Sequence, residues 1–178
     1  MRLTKEKAAE NRQSIIDAAS RLFRERGFDG VGLSDLMKEA GFTQGGFYNH
    51  FSSKEELAAE AAAAGMRISN SRLAKGELPQ AIDRYLSTRH RDARATGCTY
   101  AALAGDAARQ GKQVQARFAE GIEEQLKILS GHLGGSREKA VQVLSEMIGA
   151  LVLARAVAEA DPALSDEILQ ANRRKLVS

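Results

Sequence analysis

The residues best equipped for chemistry lie between Gly41 and Lys54, in the run GFTQGGFYNHFSSK. Thr43, Tyr48, His50 and Lys54 carry hydroxyl, imidazole and ammonium donors of the kind that bind phosphate oxygens. Gln44 and Asn49 carry amides, which pair with the donor and acceptor on the major-groove edge of adenine. No Asp or Glu occurs from Ala40 to Lys54, so nothing in the run repels a polyanion. Gly45 and Gly46 are poor helix formers, each costing about 1 kcal/mol relative to Ala. Their presence predicts that backbone here comes close to another molecule, such as a sugar-phosphate strand. The run therefore reads as a surface for double-stranded DNA. The plain alternative is a small core turn with ordinary polar surface.

Such a surface needs a scaffold. Ser34 is placed to cap a short helix, with its hydroxyl accepting a backbone N–H of the first turn, and it joins the candidate DNA contacts. Leu36, Met37 and Ala40 give that helix one apolar face, and Gly41 ends it. Thr43 is placed to cap a second helix, Gln44 to His50, with Phe47 and Phe51 four apart on its buried side. Ser53 and Glu56 have capping-box spacing for a third. Two short helices joined by a Gly-containing turn form the unit that lays its second helix in a major groove. Upstream, Thr4 to Arg26 reads as a helix with Ile15, Ala19, Leu22 and Phe23 as its stripe and Gly27 as its stop. Arg2, Lys5, Lys7 and Arg12 make its start basic, against Glu6 and Glu10.

Residues 9 to 57 resemble the DNA-binding domain of TetR-family transcriptional regulators. The resemblance is carried by Ile15, Ala18, Ala19, Leu22, Phe23, Gly27 and Phe28. It continues through Leu36 and Ala40 into GFTQGGFYNHFSSKEEL, which is similar to the family signature almost position by position. Phe47 departs from it, since Leu is commoner there, and Gly46 stands where several small residues are tolerated. The resemblance implies an operator-reading helix and a divergent C-terminal domain that is all-helical, dimeric and ligand-sensing. It also implies a bacterial source and dimerisation through the last two helices.

The predicted fold is all-α: residues 1–57 as a helix–turn–helix DNA-binding domain, and residues 58–178 as a helical ligand-binding and dimerisation domain. Ser53 to Ala74 forms one long helix joining the two, the natural lever between ligand and DNA. Gly76 and Pro79 mark a boundary. Beyond it Ala81, Ile82, Tyr85 and Leu86 line one helical face, with Arg84, Arg89, Arg91 and Arg94 towards water. Further helices are expected at Cys98–Arg109, Lys112–Leu133, Arg137–Ala160 and Asp161–Lys175. No segment alternates with period two for long enough to be a strand. In the penultimate helix, Val143, Leu144, Met147, Ile148, Leu151, Val152 and Val157 wrap more than one face, which calls for burial on two sides. Met147, Ile148, Leu151 and Val152, with Ile168 and Leu169, are therefore the expected homodimer seam. Candidate liners of a pocket for a small-molecule inducer are Met66, Tyr85, Cys98, Tyr100, Leu103 and Phe118.

Composition narrows the remaining choices. Hydrophobic content of 43% and charged content of 28% are ordinary for a globular protein of 178 residues. The net charge of +3 sits entirely beyond residue 57, because nine basic residues before it meet nine acidic ones. Such neutrality argues against a packaging protein held by phosphate charge alone. One Cys rules out an intrachain disulfide and fits a reducing cytoplasm. The N-terminus lacks the apolar region of a signal peptide. The longest apolar run, Met147 to Ala154, is short of a membrane span, so no membrane is expected among the partners. His50, His90 and His132 have no metal-ligand spacing, and no nucleophile or phosphate-loop motif occurs, so no enzyme activity, metal or cofactor is expected. The expected function is a ligand-responsive repressor that releases its operator when a small organic molecule binds the C-terminal domain. One variant of it has Cys98, at a helix N-terminus, sensing electrophiles or oxidants.

Overall fold

The computed structural model describes residues 5–177 as an all-helical fold. Arg2, part of the expected basic arm, lies outside them. The α-helices are α1 (Lys5–Arg26), α2 (Leu33–Glu39), α3 (Lys54–Leu73), α4 (Leu78–Tyr85) and α5 (Thr88–Asp92). Then come α6 (Thr99–Ala107), α7 (Lys112–His132), α8 (Arg137–Val157) and α9 (Pro162–Val177). Between α2 and α3 runs a 3-10 helix, Gln44–Asn49.

α1 and α2 form around a shared apolar seam. Ile15, Ala19 and Phe23 of α1 and Leu36 and Met37 of α2 are fully buried. Phe23 and Phe28 bracket the end of α1 with ring centroids 5.1 Å apart. Gly27 and Gly41 terminate α1 and α2 at φ 77° and 83°, a region that costs a side-chain-bearing residue strain. The cap of α2 differs from the expected one. Gly32 occupies the cap position, and Ser34 lies inside the first turn with an exposed side chain, because Leu33 already begins the helix to reach the core.

α3 is the central strut. Its row Ala58, Ala59, Ala61, Ala62 and Ala64 is buried, and these short side chains let α1 and α7 approach closely. Ser53 caps it by accepting from the Glu56 amide at 3.1 Å. The Glu56 carboxylate reaches one residue beyond the expected box and accepts from the Ser52 amide at 2.7 Å. The boundary expected at residues 57/58 thus falls inside α3.

The helix expected to run on from Pro79 breaks instead at Leu86. Ser87 starts a new turn there by accepting from the His90 amide at 3.2 Å. Arg91 does not face water as expected. Its guanidinium lies against α9, 2.9 Å from Ser165 Oγ and 2.7 Å from Asp166 Oδ1. α8 is 21 residues long and, by length and composition alone, the one described helix that could cross a bilayer. Its Ala140, Leu144, Met147, Leu151 and Ala154 face the chain's own core, where it packs on α9, α7 and α6.

Candidate nucleic-acid interface and internal cavity

The 3-10 helix hangs from the core by Phe47, which is fully buried and stacks on Phe51 with centroids 5.6 Å apart. Anchoring one aromatic leaves the rest of the turn outside. Gln44, Gly45, Tyr48 and Asn49 are exposed, Tyr48 to 72%. Thr43 holds the cap position, yet its hydroxyl makes no cap hydrogen bond and is exposed. A Cβ added at Gly45 would meet no described atom within 4 Å, and one at Gly46 would find Met37 Cε at 3.9 Å. Neither glycine has a positive φ. Intramolecular packing therefore does not require these glycines, and the space beside them is open.

Arg12 of α1 fixes the far end of the turn. Its guanidinium pairs with both carboxylate oxygens of Glu60 and with Glu56 Oε1 at 3.2 Å. Its Nε donates to the carbonyl of His50 at 3.2 Å, and its plane lies 4.5 Å from the Phe51 ring centre. The Glu60 hydrogen bond holds the Arg12 pKa above its usual value, although burial opposes it. Hydrogen bonds from Ser52 and then from Arg12 hold Glu56 below the usual carboxylate range. Arg12, expected in a basic arm, instead locks α1, the 3-10 helix and α3 together. Lys54 is also partly engaged, with Nζ donating to the Phe28 carbonyl at 2.9 Å, which leaves two ammonium hydrogens for an external acceptor.

The pocket candidates separate. Tyr85 and Cys98 line a cavity of about 970 Å³ between α3, α4, α5 and α7. Met66 lines a smaller cleft, about 460 Å³, between α1, α3 and α7. Tyr100, Leu103 and Phe118 line neither and are core. Tyr100 Oη donates to Asn70 Oδ1 at 3.0 Å, and its ring meets Phe118 edge-on. The larger cavity also has a wall of residues that periodicity did not single out, among them Arg72, His90 and Gln125. Gln125 was the detectable one: an amide where the α7 stripe calls for an apolar residue.

His90 is spoken for. Nδ1 lies 2.7 Å from the Tyr85 carbonyl, and Nε2 accepts from the Cys98 amide at 2.9 Å. That pairing sets the neutral Nδ1–H tautomer. Burial lowers the His90 pKa, and the neighbouring Arg155 and Arg72 lower it further. Burial also pushes the Tyr85 phenol well above its ordinary pKa, with Cys98 adding to the effect. Cys98 itself stands at the start of α6 as expected, but its side chain makes no cap hydrogen bond and it is 3% exposed. Arg91, seven residues before it, is turned onto α9. Burial shields this lone thiol, and the structure lends no support to a thiol sensor.

The cavity wall reaches α1. Ala93, Thr96 and Cys98 line the cavity, and the Ala95 carbonyl among them accepts from Arg24 Nε at 2.8 Å. Arg24 also donates to Ser20 Oγ at 2.6 Å and lies beside Thr99. It has no carboxylate partner among the described residues, and burial lowers its pKa to about 10.

Residues 15–61 match the profile of the bacterial regulatory proteins of the tetR family. The HTH-type transcriptional regulator AcrR of Shigella flexneri is 44% identical over 59 residues, 33% of this chain and 27% of AcrR. TtgR of Pseudomonas putida is 47% identical over 57 residues, 32% of this chain and 27% of TtgR. The matches thus span about a quarter of the curated relatives' length. Solved structures extend the likeness in fold to nearly the whole chain. The reduced form of NemR from E. coli has a TM-score of 0.74 at 21% identity, covering 94% of this chain and 95% of that one. A TetR transcriptional regulator from Chloroflexus aurantiacus has a TM-score of 0.73 at 22% identity, covering 97% and 94%. Residues 15–61 are thus similar to the tetR family of bacterial regulatory proteins, and the whole chain shares the fold of solved TetR regulators. Among the described residues no group of three or more His, Cys, Asp or Glu could hold a metal ion.

Proposed function

We propose that the protein is a cytoplasmic, ligand-responsive transcriptional regulator, a repressor that binds operator DNA as a homodimer. The observation that carries this reading is the 3-10 helix. It has an acid-free, exposed outer face on a rigid inner anchor, within a region that matches a family of regulators. Tyr48, His50, Thr43 and Lys54 contact phosphate, Gln44 and Asn49 read base edges, and Ser34 contributes from the start of α2. The backbone at Gly45 and Gly46 lies closest to a strand. Operator release follows from the connection through Arg24: a ligand that displaces the Ala93–Thr99 segment pulls on α1 at Ala95, and α1 carries the DNA-binding unit.

The dimer seam is placed on the outer face of α8 and α9. Met147, Leu151 and Leu169, expected there, are nearly or fully buried within one protomer and serve its own core. Exposed Val141, Val152, Leu153 and Leu164, with half-buried Ile148 and Ile168, are the apolar surface left over. Val141, Ile148 and Val152 repeat at seven and four residues, so they form one stripe along α8.

The test is a salt titration of binding to operator-containing and scrambled duplexes. Gln44→Ala should reduce the preference between the two by about tenfold or more, while affinity for scrambled DNA barely changes. Lys54→Ala should lower both affinities and reduce the salt slope by about 1. Equal affinity of the wild type for both duplexes would remove the sequence-reading role.

A further inference from the structure

The larger cavity has an inner end and a mouth of different chemistry. At the inner end Gln125 Oε1 is buried with no hydrogen-bond partner, and Tyr85 Oη is buried with only the weakly accepting sulfur of Cys98 beside it. Gln125 is 3% exposed. Leaving such groups without a strong partner costs free energy, and one group that both donates and accepts satisfies both. Beside them Leu73, Ala81, Cys98 and the Tyr85 ring present apolar surface. The mouth is cationic. Arg72, Lys75, Arg84 and Arg89 line it against a single carboxylate, Asp83, which is already held by Arg173 of α9. Arg72 and Arg84 each spend one hydrogen bond on a backbone carbonyl, of Thr96 and Lys75 respectively, and keep their remaining donors. His90 has no free nitrogen to offer.

We propose that this cavity binds an elongated organic anion: a hydroxyl at its inner end between Tyr85 and Gln125, an aromatic or apolar body, and a carboxylate at the cationic mouth. The inference deepens the regulator reading by naming the class of its effector. A cation is repelled at the mouth. A purely apolar ligand leaves the two inner atoms without a strong partner. A carboxylate at the inner end would lose its hydration and face the acceptor oxygen of Gln125. The volume of about 970 Å³ suits two rings better than one. The smaller cleft is a poorer host, because two of its three cations already pair internally, Arg12 with Glu60 and Arg117 with Glu120.

The experiment is calorimetric titration of the full chain, without DNA, using three matched probes. They are 4′-hydroxybiphenyl-4-carboxylate, biphenyl-4-carboxylate lacking the hydroxyl, and 4-hydroxybiphenyl lacking the charge. The first should bind at least about tenfold more tightly than either of the others. Gln125→Leu, close in volume to the wild type, should weaken the first probe to the level of biphenyl-4-carboxylate and leave that probe unchanged. Arg84→Ser, at an exposed site, should weaken both carboxylates and spare 4-hydroxybiphenyl. Thermal melts of both variants verify their folding, and Tyr85→Phe stands in if Gln125→Leu fails to fold. Equal binding of all three probes, no binding of any, or indifference of the folded variants would overturn the proposal. Because DNA is absent, failure here leaves the DNA-binding reading intact. Ligand binding by a chain that ignores DNA would retire the regulator and keep the site.

Discussion

Gly45 separates the demands of folding from those of function. It has a helical backbone, open space beside it and no described neighbour that a methyl group would strike. Gly45→Ala should therefore leave the melting temperature unchanged or raise stability by up to about 1 kcal/mol, since alanine restricts the unfolded chain more. The same change should weaken operator binding if a sugar-phosphate strand occupies that space, and binding by anisotropy beside a thermal melt measures both. His90 makes a second residue-scale prediction. Its pKa is lowered in the folded state, so below its ordinary value of 6.5 the unfolded chain binds the extra proton first. The stability it contributes is complete above about pH 6.5 and is lost as pH falls from there towards the lowered folded value. Denaturant titrations should show that loss in the wild type and a shallower one in His90→Gln. Identical pH slopes would show that His90 is not held neutral.

At the scale of elements, Gly65 is the point where three helices meet. A Cβ there would strike Arg24 Nη1 and Thr99 Oγ1 and come within 2.9 Å of Ser20 Oγ, so α1, α3 and α6 close around a bare backbone. Gly65→Ala should cost roughly 1–3 kcal/mol, the usual range for overpacking, despite alanine's better helix propensity. A higher melting temperature in the variant would contradict that packing. Long periodic helices such as α3, α7 and α8 were legible from their apolar spacing and flanking caps to within a few residues. The break at Leu86 was not, because the Arg-rich stretch after it carries no apolar stripe and Ser87 resembles any exposed serine. The 3-10 character of Gln44–Asn49 was equally hidden, since Phe47 and Phe51 at a spacing of four suit an α-helix. The candidate DNA contacts were recognisable by residue type. The cavity was not, because its polar wall comes from five separate segments whose convergence only the tertiary fold reveals. Arg12 and Arg91 illustrate the same limit: a sequence shows a cation, and the fold decides whether it meets water or a carboxylate.

At the scale of the whole molecule, the proposed function requires two copies, and the exposed apolar residues of α8 and α9 are the proposed place for them to meet. Leu151 is fully buried and Leu153 is 59% exposed on the same helix. Leu151→Arg should disrupt the protomer by burying an unpaired charge, at a cost of several kcal/mol. Leu153→Arg should keep the protomer folded and give monomers by sedimentation, with weakened operator binding. A dimer unaffected by Leu153→Arg would place the seam on another face. A two-fold dimer carrying two 3-10 helices should select a two-fold DNA sequence. The most direct measurement is therefore selection of bound duplexes from a random pool by the full chain, followed by sequencing. Enrichment of one inverted repeat, lost when Gln44 and Asn49 are both changed to Ala, is the expected result. A bound pool with no enriched sequence, or one unchanged by that double substitution, would contradict the account.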